Sequence, residues 1–181
     1  MEQNSHNEPV YSKNVIEMLT LANEYSLFVE KAEDYSKEDI IEYMRKIFPL
    51  LYLKACLLPL VIPENEEANE RYITHETWEN IFNALRNKFQ NEDEYFYIDH
   101  SNISENDPIK ASLADNLTDV YQDLKDFVTL YQKNTFDAKE NAVFQIKSLF
   151  EKHWGYRIVN ALKYLHYLKH KDLPLDDEII F

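Results

Sequence analysis

Four aspartates, Asp115, Asp119, Asp123 and Asp126, follow one another in steps of four, four and three residues. Such steps return to one side of an α-helix, so the four form a carboxylate ladder of the kind that holds metal ions in helical bundles. On a helical wheel, Asp115, Asp119 and Asp126 centre opposite an apolar seam of Leu113, Leu117, Val120, Leu124, Phe127 and Tyr131. A solvated face is therefore the expected role, the early members also suiting the helix N-terminal dipole. Asp123 lies nearer the seam and is the one expected to be used.

A second ladder, His153, Arg157, Asn160 and Tyr164, steps by four, three and four and continues the face of Ala142, Ile146 and Leu149. The apolar stripe meanwhile moves sideways to Trp154, Ile158, Ala161, Leu165 and Leu168, with Gly155 at the changeover, where a missing side chain permits a bend or a close approach. A guanidinium facing other helices needs an anion; Glu24, Asp119 and Asp123 are on offer, Asp123 foremost. The ladder then either seals the bundle as a polar seam, the preferred reading, or lines a pocket in which Arg157 anchors an anionic group. The candidate ligand-binding set is His153, Arg157, Asn160, Tyr164, Asp123 and Lys54.

Other chemistry finds less support. None of the six histidines follows Glu or Asp by three residues, as di-iron bundles require. His75-Glu76 opens like a zinc-protease motif, but Glu79 stands where the second histidine belongs. His166 and His170 could share a metal, yet their side lies away from Ala161, Leu165 and Leu168, so surface histidines are expected. No metal, cofactor or catalytic residue is assigned. The lone cysteine, Cys56, lies in the most apolar stretch and reads as a buried, inert thiol. The single glycine rules out dinucleotide folds, P-loops and nucleophile elbows, and it favours helices over sheets that turn on glycine.

The stretch expected to organise the fold is Ile47–Ile62, IFPLLYLKACLLPLVI, too short and broken to span a membrane. Its apolar residues favour no single side, as in a helix buried all round. Pro49 either kinks that helix or opens a new one, and Lys54 must snorkel outward or meet a carboxylate. Around this spine the sequence predicts helices from Ser12 to about Ala32, from a Ser36–Asp39 capping box into the spine, from Thr74 to about Phe89, from Asp107-Pro108 through Tyr131, and from about Ala138 to Lys169. The acidic run Glu64–Glu70 is a loop or short solvated helix. Tyr95–Ile98 is β-prone, but with no evident partner it reads as part of an irregular aromatic segment near 95–106.

The net charge is −14, spread unevenly: −9 from Val61 to Pro108 and +5 from Ala138 to Lys171. Such a balance argues against DNA or an anionic membrane as partner and suits a basic protein or peptide. MEQNSHNEP lacks the basic and apolar parts of a signal peptide, so the cytoplasm is the expected location.

Three stretches, FPLLYLKA, SLADNLTDVYQDLKDF and WGYRIVNALKYLH, together resemble a family of small acidic bacterial proteins, the domain of unknown function numbered five thousand and sixty-three. The likeness runs from about Val15 to His166. It implies an all-helical fold and carries over no activity, cofactor or site residue.

The expectation is an all-α, single-domain bundle of about five main helices over residues 12–170, with a flexible segment 1–11 and an acidic tail 171–181. The function expected is a non-enzymatic interaction module that docks an unknown protein partner on an acidic face. The alternatives are a ligand-binding or catalytic bundle built on the second ladder and, third, an acidic nucleic-acid mimic.

Overall fold

Helix starts fall where short polar side chains can take over unpaired backbone donors. The Ser36 hydroxyl accepts from the Asp39 backbone N–H at 3.1 Å while the Asp39 carboxylate accepts from the Ser36 N–H, the reciprocal box expected. Thr74 caps the third helix through the Thr77 N–H at 3.2 Å. The computed structural model describes residues 8–99 and 107–172. Its elements are α1 (Lys13–Val29), α2 (Lys37–Cys56), α3 (His75–Phe89), strands β1 (Glu94–Tyr97) and β2 (Ile109–Ser112), α4 (Leu113–Tyr131), α5 (Phe136–Leu149), a π-helical turn (Phe150–Trp154) and α6 (Gly155–His170). With α5, the π turn and α6 running end to end as one long helix, this is the expected bundle of five main helices.

The organising helix is α4, not Ile47–Ile62. Leu113, Leu117, Val120, Tyr121, Leu124, Phe127 and Leu130 are buried on several sides of it, and α1, α3, α5 and α6 all pack against it. α2 lies outside, against α1 and α6. It runs unbroken through Pro49, and its later half buries Ile47, Phe48, Leu51 and Ala55 alone. Leu50, Tyr52, Leu53, Leu57, Leu60 and Ile62 are exposed, as is the Cys56 thiol that was expected to be buried. Lys54 meets a carboxylate, Glu17 on α1, at 2.6 Å.

The aromatic segment does find a partner. β1 pairs antiparallel with β2, Glu94 opposite Ser112 and Tyr97 opposite Ile109. Residues 109–112, read above as the first turn of the fourth helix, are extended, and the helix begins only at Leu113. Two caps fix that start: the Ser112 hydroxyl accepts from Asp115 N at 3.0 Å, and the buried Asp93 carboxylate accepts from Ala114 N at 2.7 Å. An anion suits the positive end of the helix dipole. Residues 100–106 of the segment and 173–181 of the tail lie outside the described residues, as do 1–7. Pro9–Tyr11, expected to be flexible, form a 3₁₀ turn whose Val10 is buried and whose carbonyl accepts from the Tyr131 hydroxyl at 2.8 Å.

The π turn explains the shifted stripe on the last helix. One extra residue turns everything beyond it by roughly 100°, so the inward face Ala142–Ile146 continues as Trp154, Ile158, Ala161, Leu165 and Leu168, all buried. Gly155 donates its N–H to the Phe150 carbonyl to close the turn. A Cβ there would stand inside 3.0 Å of that oxygen, closer than real Cβ atoms approach. The one glycine of the chain is thus needed for close approach within its own helix.

Candidate functional site

The π turn rotates His153 and Arg157 toward the aspartates of α4, and the two ladders meet. Arg157 gives Nη1 to Asp115 Oδ2 at 3.0 Å and to Asn116 Oδ1 at 2.8 Å, Nη2 to Asp119 Oδ2 at 2.6 Å, and Nε to His153 Nε2 at 3.1 Å. Its carboxylates are therefore Asp115 and Asp119, not Asp123. Asp123 is shifted along α4 toward His153 and Arg71, accepting from His153 Nδ1 at 2.7 Å and from Arg71 Nη1 at 3.2 Å. Asp126 accepts from the backbone N–H groups of Tyr72 and Ile73 at 2.7 and 3.0 Å. The Trp78 indole N–H of α3 donates to Asp119 at 2.8 Å.

Beyond Asp115, whose side chain stays 44% exposed, the aspartate ladder is therefore not a solvated face. Asp123 and Asp126 are 3% and 6% exposed, and the ladder ties α3, α4, α6 and the segment before α3 together. A helical wheel of α4 alone could not show this, because the covering groups come from Arg71, Tyr72, Ile73 and Trp78, over 40 residues away in sequence. The available signal was Arg71, an isolated base in an acidic stretch.

Burial pushes the Asp119 carboxyl above its usual range, against the pull of Arg157 and the Trp78 N–H. Burial does the same at Asp126, against the Tyr72 and Ile73 N–H groups and Arg71. Arginine donates only, so His153 Nε2 must accept from Arg157 and Nδ1 must carry the proton given to Asp123. That assigns a neutral tautomer by its neighbours. The lone pair a general base would use is already occupied. Among the described residues, no group of three or more His, Cys, Asp or Glu side chains is arranged to hold a metal ion.

The remaining sequence candidates divide. Tyr164 stacks on Tyr95 of β1, ring centres 4.9 Å apart, and the Tyr95 hydroxyl accepts from Asn116 at 2.5 Å, so the hairpin is bound into the same network. Asn160 stands at the rim, on the wall between two open hollows beside α6. Lys54 is not brought to the ladder; it joins α2 to α1 and holds the Glu17 carboxyl below its usual range. His166 is exposed, and His170 lies within 3.0 Å of an Arg45 nitrogen on α2. The carbonyl and carboxylate of Asp93, holding the start of α4, were missed altogether.

No helix among the described residues is long and apolar enough to cross a membrane. No curated protein matches the sequence. A crystal structure of protein BF1032 from Bacteroides fragilis is similar: 31% identity, with 90% of this chain and 96% of that one covered, and a TM-score of 0.80. The model of the family described as Domain of unknown function (DUF5063) matches residues 9–171, and the chain belongs to that family.

Proposed function

We propose that this protein is a non-enzymatic interaction module that docks an amphipathic helix of a partner protein on the outer side of α2. The supporting observation is the outward arc of its second half. Leu50, Leu53 and Leu57 are 47%, 52% and 46% exposed, and Leu60 and Ile62 extend the arc at 72% and 75%. Steps of three and four along a helix make a ridge that another helix can pack against, and contiguous exposed apolar surface marks protein contact sites. The one charge within the arc, Lys54, is neutralised by Glu17.

Beyond Ile62 the chain turns acidic, with Glu64, Glu66 and Glu67 all exposed. The partner helix that fits has a leucine-type stripe and basic residues at the end lying over Glu64–Glu67. His153, Arg157 and the aspartates they hold favour no reaction in this reading, because their donors and acceptors are already used within the seam.

The test uses a synthetic amphipathic helix with leucines at positions i, i+3, i+4 and i+7 and lysines at one end, followed by fluorescence anisotropy. It should bind, and Leu53→Glu with Leu57→Glu should weaken it about tenfold or more. Equal binding by that variant, or equal affinity for the same peptide carrying glutamates at its end, would overturn the proposal. So would light scattering that shows a dimer dissolved by Leu53→Glu, since the surface would then serve a second copy.

A further inference from the structure

The geometry points to a second binding site, independent of the α2 surface: the cleft between β1 and the outer side of α6 takes a small aromatic monoanion. The cleft has two lobes. One, of about 790 Å³, is walled by Tyr95, Phe96, Val159, Tyr164 and Tyr167. The other, of about 270 Å³, is bordered by Lys152, His153, Arg157 and Asn116. Tyr97 and Asn160 belong to both. An apolar, aromatic hollow of this size with a few convergent polar groups has the form of a small-ligand site.

The described walls are held in place by their own contacts. Tyr164 and Tyr95 are stacked, and the Asn116–Tyr95 bond fixes the strand to α4. Phe96 and Tyr167, at 67% and 58% exposed, leave large ring area for an occupant to cover. A flat ring laid on them gains both buried area and stacking.

Charge selects the occupant. The protein carries −14, yet on this side of α6 Lys152 and Lys163 have no ion-pair or hydrogen-bond partner among the described residues. Asn160 stands between them, its amide also without a partner among the described residues, one helical turn from Lys163. A carboxylate placed at Asn160 accepts from that amide and from Lys163, with Lys152 adding to the local field. Arg157 is not the anchor, since Asp115, Asp119, Asn116 and His153 hold it already. Because Asp115 also borders the polar lobe, the positive excess is small. It suits one negative charge and disfavours phosphate-rich ligands.

Indole-3-acetate is a suitable probe, with its neutral amide as control, titrated into the ¹⁵N-labelled full chain by NMR. Saturable shifts should centre on residues 95–97 and 159–167. Lys163→Gln should weaken the carboxylate about tenfold, the loss of one charge-assisted contact, and leave the amide unchanged. Tyr167→Ala should weaken both ligands alike. Leu53→Glu should change neither, which separates this site from the α2 surface; the unperturbed spectrum of each variant reports its fold. Absence of saturable shifts, shifts centred on Leu50–Leu60, or equal affinity for acid and amide would overturn the assignment.

Discussion

The second half of α2 and the aspartate stripe of α4 exchange the places that their compositions indicate. The most apolar stretch of the chain shows Leu50, Leu53, Leu57 and Leu60 to solvent, while Asp123 and Asp126 are buried. Hydropathy measures the cost of desolvating a side chain by itself. It does not count partners brought from elsewhere. Each carboxylate oxygen of Asp119, Asp123 and Asp126 receives at least one donor, which offsets that cost. Exposing leucine is only a forgone gain, tolerable in a protein whose core is already filled by α4.

The contrast breaks most directly at Arg157. Arg157→Ala leaves Asp119 without its closest cation, and a buried charge stranded in this way costs about 3–5 kcal/mol. Arg157 is itself partly exposed, so the lower end is expected, read as a fall in the urea midpoint at constant slope. A loss under about 1 kcal/mol would mean that the seam behaves as surface ion pairs and that the interior–exterior distinction is false.

Neighbouring leucines on α2 sharpen the other side. Leu51 is fully buried and Leu53 is about half exposed. Leu51→Ala should cost about 2–5 kcal/mol by leaving a cavity, and Leu53→Ala should stay within about 0.5 kcal/mol. Similar losses from both in paired denaturant melts would place the outward arc inside the folding core after all.

Gly155→Ala probes the device that brings the two ladders together. The added methyl meets the Phe150 carbonyl and ring, and overpacking of this kind costs about 1–3 kcal/mol. If the π turn gives way to regular helix instead, His153 and Arg157 rotate off the aspartates. Trp154, fully buried beside Phe150 at 4.8 Å between ring centres, reports the change in near-ultraviolet circular dichroism. An unchanged spectrum and midpoint would show that the turn does not depend on glycine.

Much of this architecture is local and was legible. Ser36–Asp39, Thr74, the Leu113–Tyr131 seam and the shift of stripe at Gly155 each follow from spacing within one helix. What was not legible depends on pairing across the chain. β2 reads IKAS, four residues with little strand character of their own, which become a strand only against Glu94–Tyr97. Placing Asp126 required knowing that the Tyr72 and Ile73 N–H groups come to it. Ile47–Ile62 was misplaced for the complementary reason: apolar composition says that a segment can be buried, not that the other helices leave room.

The smallest effect separates carboxylates by the sign of their pH dependence. Glu92 bridges Lys171 and Lys37 at the end of the bundle, and the two cations, Lys171 first, hold its carboxyl below the ordinary 4.5. A group depressed on folding contributes stability above its unfolded value, and that contribution is lost as pH falls through the folded one. Water screens the pair, so Glu92→Gln should cost no more than about 0.5–1 kcal/mol at neutral pH. The difference from wild type should vanish below pH 4.5 and shrink in high salt. Asp126 runs the other way. Burial raises its carboxyl above the ordinary 3.8, so the folded chain binds the proton more readily than the unfolded one, and the penalty of burying the charge eases as pH falls toward that raised value. Wild type minus Asp126→Asn should therefore grow on acidification from neutrality, while wild type minus Glu92→Gln declines. Parallel slopes in pH-dependent urea melts would mean that Asp126 is held ionised by Arg71 and the two backbone donors as firmly as Glu92 is by its lysines. The difference between the buried Asp126 and the partly exposed Glu92 would then be one of packing alone.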